Sequence, residues 1–147
     1  MTPANSYAVA GGPLGFLVAK TMQSQIIFDF YNTLFNPKAK TLFGGTIPLL
    51  CQLKKAYKLS LITTGGQNRK QLINKLGIAK YFSRVVICPT KSPKVFLKLI
   101  DKSSNALIIG DRKEEEISIA KVLKLPYIQV TPQLENPVKT ITSQLLP

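Results

Sequence analysis

The sequence predicts an α/β protein with a three-layer, Rossmann-like fold, in which helices cover both faces of a sheet of about five parallel strands. Short apolar runs alternate with helix-length segments, and the connections between them are short. The strand-like runs cover residues 25–30, 59–63, 85–88, 106–109 and 127–130. With 147 residues, of which 45% are apolar, the chain has the size and composition of one domain with its own core.

The segments between and after these runs carry apolar residues at helical spacing. They cover residues 45–57, 67–76, 92–100, 114–123 and 137–146. Gly77 is well suited to end the second helix, and Ser92 with Pro93 forms an N-cap and first-turn pair for the third. Three glutamates, Glu114–Glu116, suit the positive end of the fourth helix dipole.

Residues 1–24 show no period and contain several glycines and prolines. We therefore expect a mobile N-terminal extension, followed by a core domain of residues 25–147. A start site at Met22 is an alternative interpretation. A signal peptide is less favoured, because no Lys or Arg precedes the apolar part of this segment.

The chain is strongly basic, with a net charge of +13 from 20 Lys and Arg against seven Asp and Glu. The lysines are scattered over most of the predicted helices, with no basic run of five or more and no basic stretch with interleaved aromatic residues, which favours solvated helix faces over a nucleic-acid surface. Binding of a nucleic acid remains an alternative interpretation of this charge, and the positive field would also attract phosphorylated substrates. No segment approaches the roughly 20 apolar residues of a membrane span.

The two cysteines, Cys51 and Cys88, match no metal-binding or redox spacing. We expect both to be buried free thiols. Free thiols suit a reducing compartment, so a cytoplasmic protein is expected.

The few acidic residues indicate where function resides. Asp29 lies within one apolar run and Asp111 directly follows another, so each carboxylate needs a compensating partner such as a metal ion. Ligands of parallel α/β sheets bind outside the carboxyl ends of the strands. The segments to watch are therefore residues 29–33, 63–66, 90–92 and 110–116.

These four segments resemble the four motifs of the haloacid dehalogenase-like superfamily. Residues 26–34, IIFDFYNTL, are similar to its first motif, an apolar strand followed by D-x-D-x-T-L. Residues 61–65, LITTG, resemble the second motif, and Lys91-Ser92-Pro93 resembles the third, a lysine at the start of a helix. Residues 108–112, IIGDR, with Glu116 beyond them, resemble the fourth. All four occur in the family order within residues 25–130.

The resemblance implies a capless phosphohydrolase that uses Mg²⁺ and forms an aspartyl-phosphate intermediate. Asp29 would attack phosphorus and also bind the metal ion. Asp111 would be the second carboxylate ligand, the backbone carbonyl of Tyr31 a third ligand, and Glu116 would support the metal shell. Mg²⁺ prefers such hard oxygen ligands.

The resemblance also assigns the residues that would bind phosphate. Thr63 would donate a hydrogen bond from its hydroxyl to a phosphate oxygen, and Thr64 would donate another from its backbone N–H. Lys91 would neutralise the phosphate charge and hold Asp29 in place, although Lys94 competes for this role because the sequence leaves the loop length open. The substrate would be a phosphorylated small molecule or a larger phosphorylated substrate.

Tyr31 departs from the family pattern, because the phosphatases carry a second aspartate there as general acid and base. General acid–base catalysis typically contributes about 10²–10⁴-fold, so slow or specialised turnover is expected. Tyrosine, with an unperturbed pKa of about 10, is a poor base at neutral pH. An alternative is therefore a catalytically weak domain that binds a partner or nucleic acid through its basic surface.

A third interpretation is a 2-haloacid dehalogenase, whose first motif resembles D-x-Y-x-T-L. Those enzymes work without Mg²⁺ and carry a helical cap. Only one helix and a loop fit between Leu34 and Leu59, which favours a capless protein. An open site would suit large substrates or a lid supplied by a homo-oligomer.

Overall fold

A central parallel sheet organises the protein, as the sequence predicts. The computed structural model describes residues 7–9, 12–16, 23–101 and 105–146. The strands are β1 (Tyr7–Val9), β2 (Gly12–Phe16), β3 (Gln23–Asp29), β4 (Phe35–Asn36), β5 (Thr41–Leu42), β6 (Lys58–Thr64), β7 (Arg84–Cys88), β8 (Asn105–Gly110) and β9 (Tyr127–Gln129). The α-helices are α1 (Thr46–Lys54), α2 (Gln67–Lys75), α3 (Pro93–Leu99), α4 (Ser118–Leu123) and α5 (Pro137–Leu145).

Five strands form the sheet in the order β7-β6-β3-β8-β9, and every neighbouring pair is parallel. The chain runs outward from β3 through β6 to β7, then returns to place β8 on the other side of β3. The strand order therefore reverses between β3 and β8, where Phe28 lies opposite Ile109. Such a reversal leaves a crevice at the carboxyl ends of the two strands, which is where ligands of this architecture bind.

Helices cover both faces of the sheet, because alternate residues of each buried strand point to opposite sides. Ile26 and Phe28 of β3 belong to one core, to which α1, α2 and α5 contribute. Ile27 belongs to the other core, to which α3 and α4 contribute Phe96, Leu99, Ile119 and Ala120. The predicted three-layer α/β fold is confirmed.

No cap domain is inserted between β3 and β6, and the structure describes all of the intervening residues 30–57. They form the two-residue strands β4 and β5, which pair as an antiparallel hairpin, and the helix α1. The carboxyl ends of β3 and β6 therefore have no helical insertion above them from this segment. Among the described residues, no helix has the length and apolar character that a membrane span requires.

The predicted extension of residues 1–24 is described only in part. β1 pairs antiparallel with β2, and β1 lies near β9 and α5. Residues 1–6, 10–11 and 17–22 lie outside the described residues. A mobile extension, and the division into residues 1–24 and 25–147, stay predictions.

The prediction that both cysteines are buried is wrong for Cys51, which is exposed, whereas Cys88 is buried. Cys51 lies on α1, whose buried residues are Thr46, Leu49, Leu50 and Leu53. At about 100° per residue, position 51 points to the side of the helix opposite these four positions. The sequence places Cys51 within an apolar helix, but the helical period directs it to solvent.

Candidate active site

Three carboxylates meet at the carboxyl ends of β3 and β8. Asp29 ends β3, Asp111 directly follows β8, and Glu116 lies one turn further along the chain. One oxygen from each carboxylate lies within 4.8 Å of the other two. Asp29 is only 4% exposed and Glu116 is fully buried, whereas Asp111 is half-buried. The topological reversal thus brings together the three acidic residues that the sequence predicts for the metal site.

The loop after β3 aims the Asp29 carboxylate. The backbone carbonyl of Phe30 accepts hydrogen bonds from three successive N–H groups, those of residues 33–35, at 2.9–3.2 Å. This tight turn buries Thr33 completely and lets its hydroxyl donate to Asp29 Oδ2 at 3.2 Å. The motif resemblance included Thr33 without giving it a role, and the structure shows that it fixes one oxygen of Asp29.

Lys91 holds the other oxygen of Asp29. Its ammonium donates to Asp29 Oδ1 and, at 2.8 Å, to Glu116 Oε2, and its side chain is only 3% exposed. Glu115 Oε1 lies 3.8 Å from the same nitrogen. Lys94, the competing candidate, is exposed on α3. The structure therefore brings Lys91, and not Lys94, into the carboxylate cluster.

The start of α3 explains where Lys91 lies. The Ser92 hydroxyl accepts a hydrogen bond from the backbone N–H of Val95 at 3.3 Å, and Pro93 occupies the first turn. This cap fixes the beginning of the helix, as the sequence predicts. Lys91 is thereby held one residue before the cap, at the carboxyl ends of the strands.

A short π-helical turn, Lys113–Ile117, directs Glu116 into the site. The N–H of Ile117 donates to the carbonyl of Arg112 at 3.3 Å, and the N–H of Arg112 donates to Glu116 Oε1 at 3.2 Å. Periodicity predicts an ordinary helix over residues 114–123, whereas the structure has this wider turn at its start. Such turns occur frequently at functional sites.

Gly110 makes room for Glu116. A Cβ atom at position 110 would lie 2.5 Å from Glu116 Oε1 and 2.8 Å from its Cβ and Cγ, all shorter than normal contacts. The glutamate side chain thus passes directly over the backbone at the end of β8. Only glycine permits this approach without moving the buried carboxylate.

Gly110→Ala is therefore expected to reduce the free energy of unfolding by about 1–3 kcal/mol, the usual cost of forcing an extra methyl group into a packed site. Urea denaturation of the variant and the parent measures this difference. Gly44→Ala is the matched control, because its added Cβ would meet only Asn136 Nδ2, at 4.0 Å. Equal stability of the Gly110 variant and the parent would contradict the packing described here.

Burial and mutual repulsion raise the pKa values of the carboxyl groups. Burial raises the pKa of Asp29 to about 6, although Lys91 acts in the opposite direction. Burial, together with the nearby charge of Asp29, raises the pKa of Glu116 to about 7. Burial also raises the pKa of Asp111. Burial alone would lower the pKa of Lys91, but Asp29 and Glu116 outweigh it and the net shift is upward. Three clustered carboxylates and one buried ammonium leave an excess of negative charge, which a divalent cation would offset.

The donor set fits Mg²⁺. The ion takes hard oxygen ligands at about 2.0–2.1 Å, so two ligand oxygens on opposite sides of it lie about 4.2 Å apart. One carboxylate oxygen from each of Asp29, Asp111 and Glu116 lies within 4.8 Å of the other two, which is close to this distance. The carbonyl of Tyr31 as a further ligand stays a prediction.

The second predicted motif lies at the end of β6. Thr63 is 1% exposed, and Thr64, the last residue of the strand, is half-buried. The Thr63 hydroxyl accepts a hydrogen bond from Nη1 of Arg69, a residue of α2 that the sequence analysis did not single out. The roles of Thr63 and Thr64 in binding phosphate stay predictions.

Tyr31 lies at the same edge of the sheet. The residue is 36% exposed, and its ring stacks on Phe35 with 5.4 Å between ring centroids. The guanidinium carbon of Arg69 lies 3.8 Å from the centroid of the Tyr31 ring. Arg69 is the third residue of the helix that follows β6, and this position alone predicts that it lies near the strand end. The position does not distinguish Arg69 from the many cations on the protein surface.

Comparisons with known proteins support the fold. No protein-family model and no curated protein matches the sequence. The structure of a haloacid dehalogenase-like (HAD) hydrolase from Bacillus subtilis, bound to magnesium, is similar to that of this chain. Its TM-score is 0.63 with 16% sequence identity, over 72% of this chain and 57% of that one. A haloacid dehalogenase-like family hydrolase from Streptococcus pneumoniae is similar with a TM-score of 0.62 and 18% identity, over 76% of this chain and 86% of that one.

A HAD phosphatase from Thermococcus onnurineus has a TM-score of 0.56 and 25% identity, over 61% of this chain and 46% of that one. This chain therefore spans about half the length of the Bacillus and Thermococcus proteins. Together, these similarities show that the protein has the haloacid dehalogenase-like fold.

Proposed function

Because the protein has the haloacid dehalogenase-like fold, we propose that it is a Mg²⁺-dependent phosphohydrolase that forms an aspartyl-phosphate intermediate. The observation that carries this proposal is the convergence of the Asp29, Asp111 and Glu116 carboxylates, with the ammonium of Lys91 donating to Asp29 and Glu116. One similar structure is bound to magnesium and another is described as a phosphatase, which is consistent with the proposal.

Asp29 is the proposed nucleophile, because its carboxylate is buried and both of its oxygens are held. A carboxylate attacks well only when it is aimed and partly desolvated. Attack on phosphorus forms a bond to a carboxylate oxygen as the bond to the leaving oxygen breaks, and the leaving group takes a proton from solvent. Water then attacks the same phosphorus, which releases inorganic phosphate, restores the carboxylate of Asp29 and returns a proton to solvent.

Asp29 and Asp111 would hold the Mg²⁺, with Glu116 supporting the site from the buried side. When bound, the ion would neutralise charge on the transferring phosphoryl group. Lys91 would contribute a positive charge from within the chain and keep Asp29 oriented. Thr63 and the N–H of Thr64 would bind phosphate oxygens.

Tyr31 is proposed to make the reaction slow. Its ring packs against Phe35 and Arg69, and it carries no carboxyl group that could protonate the leaving oxygen. Substrates with good leaving groups need this proton least. The segment between β3 and β6 adds no cap, so we propose substrates from phosphorylated metabolites to larger phosphorylated molecules, with a homo-oligomer as a further source of cover.

A panel of phosphorylated compounds, assayed for phosphate release with Mg²⁺ and with EDTA, tests the proposed function. We expect release from at least one compound with Mg²⁺ and none with EDTA. Activated esters should react faster than alkyl esters. No release from any compound under either condition would contradict the proposal.

The net charge of +13 favours a second candidate function, a catalytically weak domain that binds an acidic partner such as nucleic acid. Binding of this kind depends on counterion release, so oligonucleotide affinity would fall steeply as salt concentration rises. Release of chloride from a 2-haloacid would instead indicate the dehalogenase activity that Tyr31 suggests. The segment between β3 and β6 contains no helical cap of the kind that the 2-haloacid dehalogenases carry, which disfavours this third function.

A further inference from the structure

Arg69 brings a second cation to the carboxyl end of β6, apart from Lys91. It is half-buried near the start of α2, and its Nη1 donates a hydrogen bond to the Thr63 hydroxyl. Its guanidinium carbon lies 3.8 Å from the ring centroid of Tyr31 and 5.6 Å from that of Phe30. The side chain is thus fixed between a strand end and an aromatic surface.

No carboxylate within the described residues forms an ion pair with Arg69, although all seven acidic residues of the chain lie among them. Lys91, by contrast, is surrounded by carboxylates. A guanidinium has five donors, and only the hydrogen bond to Thr63 occupies one of them among the described contacts. A fixed, partly desolvated guanidinium without an acidic partner matches the oxygen geometry of a phosphate.

Two neighbouring residues allow Arg69 to take this position. Gly65 has a φ of +141°, and a Cβ there would lie 2.9 Å from the Cβ of Arg69. Tyr31 provides the ring face, and its own ring is supported by stacking on Phe35. Phe35 in turn stacks on Phe30 at 5.2 Å between centroids. The three stacked rings form a rigid surface under the guanidinium.

We propose that Arg69 binds the phosphoryl group of the substrate together with Thr63, and that Tyr31 is the residue that positions Arg69. The inference rests on the proposed function only in taking the anion bound by Arg69 to be the phosphoryl group of the substrate. It also accounts for the residue at position 31. An aspartate there would form an ion pair with Arg69 and cancel its charge, whereas a tyrosine ring holds the guanidinium and leaves the charge available.

Calorimetric titration with inorganic phosphate, in the presence of Mg²⁺, tests the inference without requiring turnover. Arg69→Gln and Arg69→Ala are expected to weaken phosphate binding at least about tenfold, the scale of a charge-assisted hydrogen bond. Arg69→Lys should recover only part of the loss, because an ammonium lacks the planar fork. Lys70→Ala is the matched control, since Lys70 is the next residue on α2 and is exposed; its affinity should stay within about twofold of the parent.

Tyr31 variants test the positioning role. Tyr31→Phe keeps the ring and should keep phosphate affinity, whereas Tyr31→Leu should lose it nearly as Arg69→Gln does. In an ester assay, Tyr31→Leu should raise KM more than it lowers kcat. Far-ultraviolet circular dichroism confirms that each variant is folded.

The inference is overturned if a folded Arg69→Gln variant binds phosphate as tightly as the parent. It is also overturned if Lys70→Ala loses as much affinity as Arg69→Gln, or if the parent protein does not bind phosphate saturably. If the parent binds phosphate through Arg69 but hydrolyses no ester, the proposed function fails and the anion site stands. If esters are hydrolysed and Arg69→Gln leaves KM unchanged, the proposed function stands and the role of Arg69 is refuted.

Discussion

Asp29→Asn is expected to abolish phosphate release, with a fall of at least about 10³-fold, because an amide cannot attack phosphorus and loss of a nucleophile removes the main path of the reaction. The variant also loses a charged ligand, so Mg²⁺ binding should weaken. In the parent, acid quenching of a reaction with labelled substrate should leave phosphate attached to the protein. The variant should show no attached label.

The fold should survive this change, because asparagine has the shape of aspartate. Its amide oxygen can still accept a hydrogen bond from Lys91, and its NH2 group can donate one to the Thr33 hydroxyl. Burial already raises the pKa of the Asp29 carboxyl to about 6, and a neutral amide avoids the penalty of burying a charge. Asp101→Asn is the matched control, since Asp101 is an exposed carboxylate paired with Lys58 at 2.8 Å. Turnover of Asp29→Asn within tenfold of the parent would exclude Asp29 as nucleophile.

Tyr31→Asp is expected to raise kcat for Mg²⁺-dependent phosphate release by about tenfold or more, within the range that general acid–base catalysis supplies. The gain should be larger for substrates with poor leaving groups, which need protonation most. KM should rise at the same time, because the aspartate removes the ring that supports Arg69 and attracts its charge. Steady-state kinetics with activated and alkyl esters measures both effects.

Tyr31→Asn is the control for this experiment, because it removes the same ring without adding a carboxyl group. It should raise KM and give no gain in kcat. Removal of the exposed ring from its contact with Phe35 can cost stability, so the unfolding midpoints of both variants are compared with the parent. If Tyr31→Asp folds, binds Mg²⁺ and gains nothing, loss of the general acid does not limit turnover, and the partner-binding function becomes the stronger candidate.

The sequence predicts the parallel sheet well, because strands buried on both faces appear as continuous apolar runs. Asp29 and Asp111 could be chosen as site residues for the same reason, since a carboxylate within or directly after such a run is conspicuous. The choice between Lys91 and Lys94 could not be made, because it depends on where α3 begins relative to the strand ends. In the structure Lys91 is buried among the carboxylates, whereas Lys94 is exposed.

Other features leave no trace in hydrophobic periodicity. The π-helical turn that directs Glu116 differs from an α-helix only in its hydrogen-bond spacing, which apolar patterning does not encode. Arg69 could not be separated from the other basic residues, because its role depends on a ring brought to it by the loop after β3. The stacking of Arg69 on Tyr31 joins two segments that are distant in sequence, and only the folded chain reveals it.

The reversal of strand order between β3 and β8 has a consequence for how the protein folds. Asp29 belongs to the first strand of the parallel sheet and Asp111 follows the fourth, so the two carboxylates meet only after β8 has paired with β3. Pairing between strands so far apart in sequence forms slowly, because a long loop must close first. A chain emerging from the ribosome that ends at β7 can form β7-β6-β3, but it holds only Asp29, one of the three carboxylates of the cluster. Assembly of the site therefore requires that β8 join the sheet.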